Sequence, residues 1–211
     1  MVSVSSASLP AESVAGPAGP KSNLAVASLA SPMCRFRDVL GCSAADQLLA
    51  RLTERLGKDS EMELADVRDL AAVVEPFTLR ACELLGVEPP QRPRLSFSLV
   101  TGDDEGEPIS GATAGIDDEP TRAAFVYWLH ARPRRFGGGQ LRLYDLTVRE
   151  GQLVLDAEYR DCPVEHDTVV FFPSSSGFEL RPVTRLPELR HVNGAVDDRA
   201  GTRFAIRGWV R

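Results

Sequence analysis

Ala123-Ala124-Phe125-Val126-Tyr127-Trp128-Leu129-His130 is the stretch on which the architecture turns. It is a compact apolar run rich in β-favouring residues, and it is far too short for the ~20 residues of a membrane helix. Four further runs of the same kind follow it: Gln140 to Tyr144, Thr168 to Phe172, Phe178 to Val183 and Phe204 to Val210. Just upstream, Leu95, Phe97 and Leu99 alternate with Ser96 and Ser98, the period-two mark of a half-buried strand. An acidic, glycine-rich loop from Thr101 to Glu119 separates that strand from the decisive run.

Earlier in the chain the period changes. Ser43 with Asp46 predicts a helix N-terminal cap, followed by Leu48, Leu49, Leu52 and Leu56 on one face and a stop at Gly57. A second helix is predicted from Glu61 to Leu85, with Pro76 kinking it or starting a new helix and Gly86 ending it. Helices first and many short strands afterwards predict helices packed on a mostly antiparallel sheet or barrel. Residues 1–32 are dominated by Ser, Ala, Pro and Gly, with Glu12 and Lys21 the only charges, and read as a disordered leader preceding one domain, 33–211. This leader lacks the positive start and continuous apolar stretch of a signal peptide, and it has no Arg for a mitochondrial presequence.

Composition narrows the function. Thirty acidic against 24 basic residues, a net charge of −6, argue against a general nucleic-acid or polyanion binder. Cys34, Cys42, Cys82 and Cys162 lie far apart with no C-x-x-C pair, as expected of reduced thiols in a cytoplasmic protein. Any chemistry that needs an imidazole must draw on His130, His166 and His191, the 3 histidines of the chain.

Three segments in fixed order carry a resemblance. The first is Val126-Tyr127-Trp128-Leu129-His130, followed by Arg132-Pro133-Arg134-Arg135-Phe136-Gly137-Gly138-Gly139-Gln140-Leu141-Arg142-Leu143-Tyr144-Asp145. The second is Thr168-Val169-Val170-Phe171-Phe172-Pro173-Ser174 with Phe178-Glu179-Leu180-Arg181-Pro182-Val183. The third is Arg203-Phe204-Ala205-Ile206-Arg207-Gly208-Trp209. Together they resemble the prolyl-4-hydroxylase-like branch of the Fe(II)/2-oxoglutarate-dependent oxygenases, over residues 34–211. The resemblance implies a double-stranded β-helix, or jelly roll, with supporting helices. It also implies a facial triad of two His and one carboxylate, written H-x-D on an early strand and a distal His, with an Arg for the remote carboxylate of 2-oxoglutarate.

Carried over residue by residue, that pattern is broken. Phe178 stands in the place of the distal His, and a phenyl ring has no lone pair to give a metal. Counting back from Trp128 to the H-x-D pair lands on Ser110, Gly111 and Ala112, and no H-x-D or H-x-E occurs anywhere in the sequence. The resemblance therefore implies no metal ligands and no catalytic residues in this chain. Arg203, in an R-x-x-x-x-x-W setting, keeps the planar fork that suits a carboxylate. Trp128 falls where an aromatic hydroxyl commonly helps hold 2-oxoglutarate, so Arg203 and Trp128 are the candidates for a residual cosubstrate site. Pairing of Arg203 with an internal acid, Glu179 or Asp145, is its structural alternative.

Other features carry less. Solvent exposure or local hydrogen bonding is expected of the three histidines. Asp103, Asp104, Glu105, Asp117, Asp118 and Glu119 lack the spacing of a calcium loop and read as a solvated run. Arg132, Arg134 and Arg135 read as a surface turn, Ser174-Ser175-Ser176 as a loop without the G-x-S-x-G elbow, and Cys162 as a small apolar filler. The leading expectation is a non-catalytic, degenerate oxygenase-family protein without its own cofactor, a structural or regulatory partner of an active oxygenase homologue in a hetero-oligomer. The loops Arg185 to Thr202 and Asp103 to Glu119 are its candidate contact surfaces. One alternative is an active hydroxylase with rearranged ligands, using Fe(II) and 2-oxoglutarate. Another is a small-molecule binding module that uses the jelly-roll cavity.

Overall fold

The computed structural model describes residues 28–56, 64–90, 94–100, 109–110, 121–149, 152–185 and 203–211. Its centre is the decisive run, strand β5 (Ala123–His130), buried at every position. That strand pairs antiparallel with β9 (Thr168–Pro173) on one side and β12 (Arg203–Val210) on the other. With β2 (Cys34–Arg37) and β3 (Leu95–Val100) at the flanks, the order of this major sheet is β2-β9-β5-β12-β3. Successive side chains alternate between two cores. Phe125, Tyr127 and Leu129 face one, and Ala124, Val126 and Trp128 face the other. A strand covered on both faces has no polar alternation, which is why this run reads as continuously apolar.

The first core lies under two helices, α1 (Cys42–Leu56) and α2 (Leu64–Leu85). Ala45, Leu48 and Leu52 of α1 and Leu70, Val74 and Ala81 of α2 pack on the β5 side chains and on Phe171, Phe204 and Ile206. The expected Ser43 cap is corrected. Helix α1 already begins at Cys42, and Gly41, at φ +80°, precedes it and accepts the amide of Ala45. Pro76 neither breaks nor restarts α2, because buried Val74 and Ala81 hold the turns on both sides of it. Gly86 ends α2 as expected, in a Schellman pattern: its amide bonds Glu83 O and that of Val87 bonds Cys82 O.

The second core lies between the major sheet and a minor one. The minor sheet is built on β7 (Leu141–Arg149), flanked on one edge by β8 (Gln152–Cys162) and on the other by β1 (Ser28–Leu29) and β10 (Gly177–Leu180). Strand β4 (Ile109–Ser110) pairs beyond β10. A short pair, β6 (Phe136–Gly138) with β11 (Val183–Arg185), joins the sheets at one end. Every strand pairing among the described residues is antiparallel, and two facing sheets with helices behind one of them form the expected jelly roll. Gly138 has to be glycine here. Its φ is +71°, and a Cβ would sit 2.1 Å from the carbonyl oxygen of Pro182 on the opposite arm.

Two features depart from the reading of the sequence. Residues 28–32 were grouped with the leader, yet β1 pairs with Leu146 and Thr147, and Ser31 is buried, its hydroxyl donating to Tyr144 O and its amide to Asp145 Oδ1. Residues 1–27 lie outside the described residues. Strand β8 has no counterpart among the apolar runs of the sequence. It is an exposed edge strand whose outer positions, Asp156 to Asp161, are mostly charged. No described helix is long and apolar enough to cross a membrane.

Candidate functional site

Phe178 sits in the middle of the inter-sheet core. On β10 it stands opposite Leu143 of β7 and Ile109 of β4, and its ring lies 4.9 Å from that of Phe172. Leu141, Leu143, Val170 and Phe172 share the same cluster. Ser110, at the end of β4, is the partner of Gly177, so β4 and β10 bring two of the implied ligand positions side by side. Gly111 and Ala112 lie outside the described residues. The family's iron site needs imidazole and carboxylate donors, and the described side chains packed with Phe178 in this cluster include neither. Among the described residues no group of three His, Cys, Asp or Glu could hold a metal ion. The side chains present around Phe178 do not fit the group the resemblance implies.

Arg203 opens β12 opposite His130 and is 1% exposed. By strand alternation it shares a face with Ala205, the neighbour of Trp128 in the same interior core. One guanidinium nitrogen, Nη1, donates to Gly139 O at 2.8 Å. The side chain lies along Gly139, where a Cβ would come within 3.1 Å of its Cδ. Gly139 is therefore the seat of Arg203, and its φ of +76° suits it to that role. Trp128 is fully buried, and its Nε1 has no hydrogen-bond partner among the described residues. A buried N–H donor without an acceptor costs about 1–3 kcal/mol, so this one invites an acceptor in that interior. The two acids named as structural partners of Arg203 have other bonds. Glu179 accepts from Tyr144 Oη and Arg181 Nη1, on the opposite side of β10 from Phe178, and Asp145 accepts from Ser31 N and lies 3.9 Å from Arg160.

Beyond Arg203 lies a cluster that sequence reasoning did not assemble. His130 is 5% exposed, with its Nδ1 2.9 Å from Ala131 O. A carbonyl only accepts, so Nδ1 carries the proton and Nε2 is a bare, buried lone pair without a partner among the described residues. The amide of His130 donates to His166 Nδ1 at 3.2 Å, which leaves the His166 proton on Nε2, 3.4 Å from Asp46 Oδ1. Asp46 is bound by Arg132 Nη2 at 2.6 Å. Burial is the largest cause holding both imidazoles below the ordinary histidine range, and Arg132 adds to it at both. Of the two outcomes expected for the histidines, exposure or local hydrogen bonding, His130 takes the second, through Ala131 O, and His166 is held by the His130 amide, while His191 and the two acidic runs lie outside the described residues.

Asp167 is the residue the sequence hid. Fully buried at φ +54°, it accepts the amides of Leu40 and Gly41 and the hydroxyl of Tyr127, at 2.8–2.9 Å. Its own amide donates to Trp128 O. One carboxylate thus ties the entry of α1 to the central strand. The available signal was the His166-Asp167 turn before β9, where an aspartate tolerates a left-handed backbone.

The remaining expectations resolve locally. Arg134 is spent on the carbonyls of Phe136, Val164 and Gly138, so the arginine turn is held by its own backbone. Ser174 donates to Thr121 O, in the inter-strand turn expected. Cys162 is buried in the inter-sheet core, and burial raises its thiol pKa. Burial likewise pushes Cys34 up to about 11.

No family model matches the chain. Over 99 residues it is 26% identical to an uncharacterized PKHD-type hydroxylase of Synechocystis, a match covering 46% of this chain and 30% of that protein. The aligned region thus spans less than a third of the curated relative. A prolyl hydroxylase of Trichoplax adhaerens, solved in complex with a hypoxia-inducible-factor peptide fragment, superposes with a TM-score of 0.51 at 16% identity. That superposition covers 84% of this chain and 82% of the other. A Pseudomonas putida prolyl-4-hydroxylase gives a TM-score of 0.49 at 17% identity, covering 86% and 88%. With two facing antiparallel sheets, helices behind the one centred on β5 and three segments in the same order, the chain has the jelly-roll fold of the prolyl-4-hydroxylase-like 2-oxoglutarate oxygenases and resembles that branch in sequence.

Proposed function

We propose that this chain is a degenerate member of the oxygenase fold that performs no iron chemistry of its own and serves as a structural or regulatory partner of an active homologue. One observation carries the reading: Phe178, at the position the resemblance assigns to the distal ligand, packs on Phe172 inside an apolar core. A phenyl ring at 2% exposure contributes about 1.5–3 kcal/mol of burial to the fold, so the position works for stability and not for coordination. Purified protein given Fe(II) and 2-oxoglutarate without oxygen should develop no visible metal-to-ligand charge-transfer band. A stoichiometric complex with that band would overturn the reading.

A second reading is favoured by Trp128. Its unpartnered Nε1–H and the Arg203 guanidinium belong to one interior face, a donor set that suits a small carboxylate. In that reading the chain is a binding module that uses the jelly-roll cavity without chemistry. Millimolar 2-oxoglutarate should then raise the melting temperature modestly, and Trp128→Phe, which keeps the ring and removes the donor, should reduce the shift. No shift for the wild type would leave Trp128 and Arg203 as structural groups.

A further inference from the structure

Among the described residues seven large hydrophobic side chains are exposed, and four of them, Leu29, Val148, Leu155 and Tyr159, lie on the minor sheet. They are 52%, 45%, 42% and 47% exposed, respectively. Register shows that they belong to one surface. Leu29 of β1 stands opposite Leu146 of β7, and Leu146 stands opposite Leu155 of β8, giving a leucine row across three strands. Val148 follows Leu146 at the next position of the same face, and Tyr159 stands opposite Tyr144, which precedes it. Leu155 also lies across Gly177 of β10, whose Cβ position it would occupy within 2.3 Å. This is the outer face of the jelly roll, opposite the core of Leu141, Leu143 and Phe178.

We propose that this face is the surface on which two copies of the chain pack, sheet against sheet, about a two-fold axis near the leucine row. Charge singles out a second copy as the occupant. Arg142 is bound to Asp161 and Arg181 to Glu179, within one chain, so the charges that flank the row on this face among the described residues are neutral pairs. A chain of net charge −6 repels its own copy most where charges are unpaired and least at such a face. A neutral face offers no field to select a partner of opposite sign, and identical leucine rows are self-complementary under a two-fold. Burying it strands no lone charge.

The edge of β8 that pairs with no described strand is a poorer place to meet. Between the pairs Tyr144–Tyr159 and Leu146–Leu155, β7 has one residue and β8 has three, Asp156, Ala157 and Glu158. That bulge and those acids are devices that keep edges from pairing. Strands of nine and eleven residues span about 30 Å, and three strands span about 14 Å. The face thus projects to about 400 Å², the apolar middle of an interface whose standard size is ~800 Å² per partner.

Sedimentation velocity of the full chain from about 1 to about 100 µM tests this. The wild type should reach twice the chain mass. Leu155→Glu with Val148→Glu should raise the dissociation constant at least about a hundredfold and leave folded monomer by circular dichroism. Should that pair of changes impair folding, Leu29→Glu on the short β1 reads the same surface. Leu79→Glu with Leu84→Glu, on the exposed side of α2, should leave the dimer intact. A monomeric wild type at the top concentration overturns the proposal, as does a dimer that survives the sheet variants or dissociates with the α2 variants. A wild type that associates only with a homologous chain overturns it as well.

Discussion

His130 and His166 show how two neutral side chains can hold a fold to one pH range. Each accepts or donates through Nδ1 to backbone, and each is buried, so a second proton on either ring displaces a bond or charges the interior. Their folded pKa values lie below the unfolded value of about 6.5, so the unfolded chain binds protons first as pH falls. Stability from this pair is fully present above about pH 6.5 and is lost as the pH drops through the folded values. Melting temperature followed from pH 8 to pH 5 should fall, and His130→Gln with His166→Gln should flatten the fall. An unchanged profile in the double variant would assign the acid sensitivity elsewhere. At this scale the sequence was legible where chemistry is intrinsic to the residue: Phe178 cannot ligate a metal wherever it stands. It was illegible where partners decide. The burial of His130 depends on Phe136 and His166, and the seat of Arg203 depends on Gly139, each brought close only by folding.

Helix α1 is attached to the sheet through one side chain, and that makes the element testable. The Asp167 carboxylate takes the amides of Leu40 and Gly41 just before the helix, besides the Tyr127 hydroxyl. Hydrogen bonds to a charged group are worth about 1.5–3 kcal/mol, so Asp167→Asn should cost about 2–3 kcal/mol in urea unfolding. Asparagine tolerates the φ of +54° and so removes the charge and one acceptor without straining the turn. Amide exchange should quicken at Leu40, Gly41 and the first turn of α1 while β5 stays protected. A uniform loss over both elements would mean that α1 is not separately fastened. Elements whose signal lies in their own period were readable: the helices, and the apolar strands with both faces covered. Strand β8, a solvated edge, has no such period, and the start of α1 is set by an aspartate far away in sequence. The paired position of β4 was unreadable for the same reason, since Ile109 and Ser110 gain meaning only opposite Phe178 and Gly177.

At the scale of the molecule, the jelly roll keeps what folding requires: Gly138 at its crossing with Pro182, the apolar β5 and an apolar cluster between the sheets. On the proposed reading, a fold with this apolar centre needs no metal of its own, and its surface is the working part. The proposed partnership predicts that co-expression with an iron-competent homologue from the same genome gives a stable hetero-oligomer, while the homologue alone is less soluble or less active. An interface that survives purification should bury upward of ~1,000 Å² in total. The loops first named for it, Arg185 to Thr202 and Asp103 to Glu119, fall almost entirely outside the described residues, so the assembly itself is the measurement. Phe178→His separates partnership from hidden catalysis. Restoring an imidazole among Phe172, Leu141 and Leu143 buries a polar ring at a cost of about 1–3 kcal/mol and supplies at most one ligand. Turnover by the complex should therefore stay within about twofold of the unsubstituted complex, at a lower melting temperature, because the reacting iron belongs to the other chain. If turnover instead rises severalfold with Phe178→His, or if this chain alone hydroxylates a substrate, the centre of this jelly roll is catalytic and the partnership is excluded.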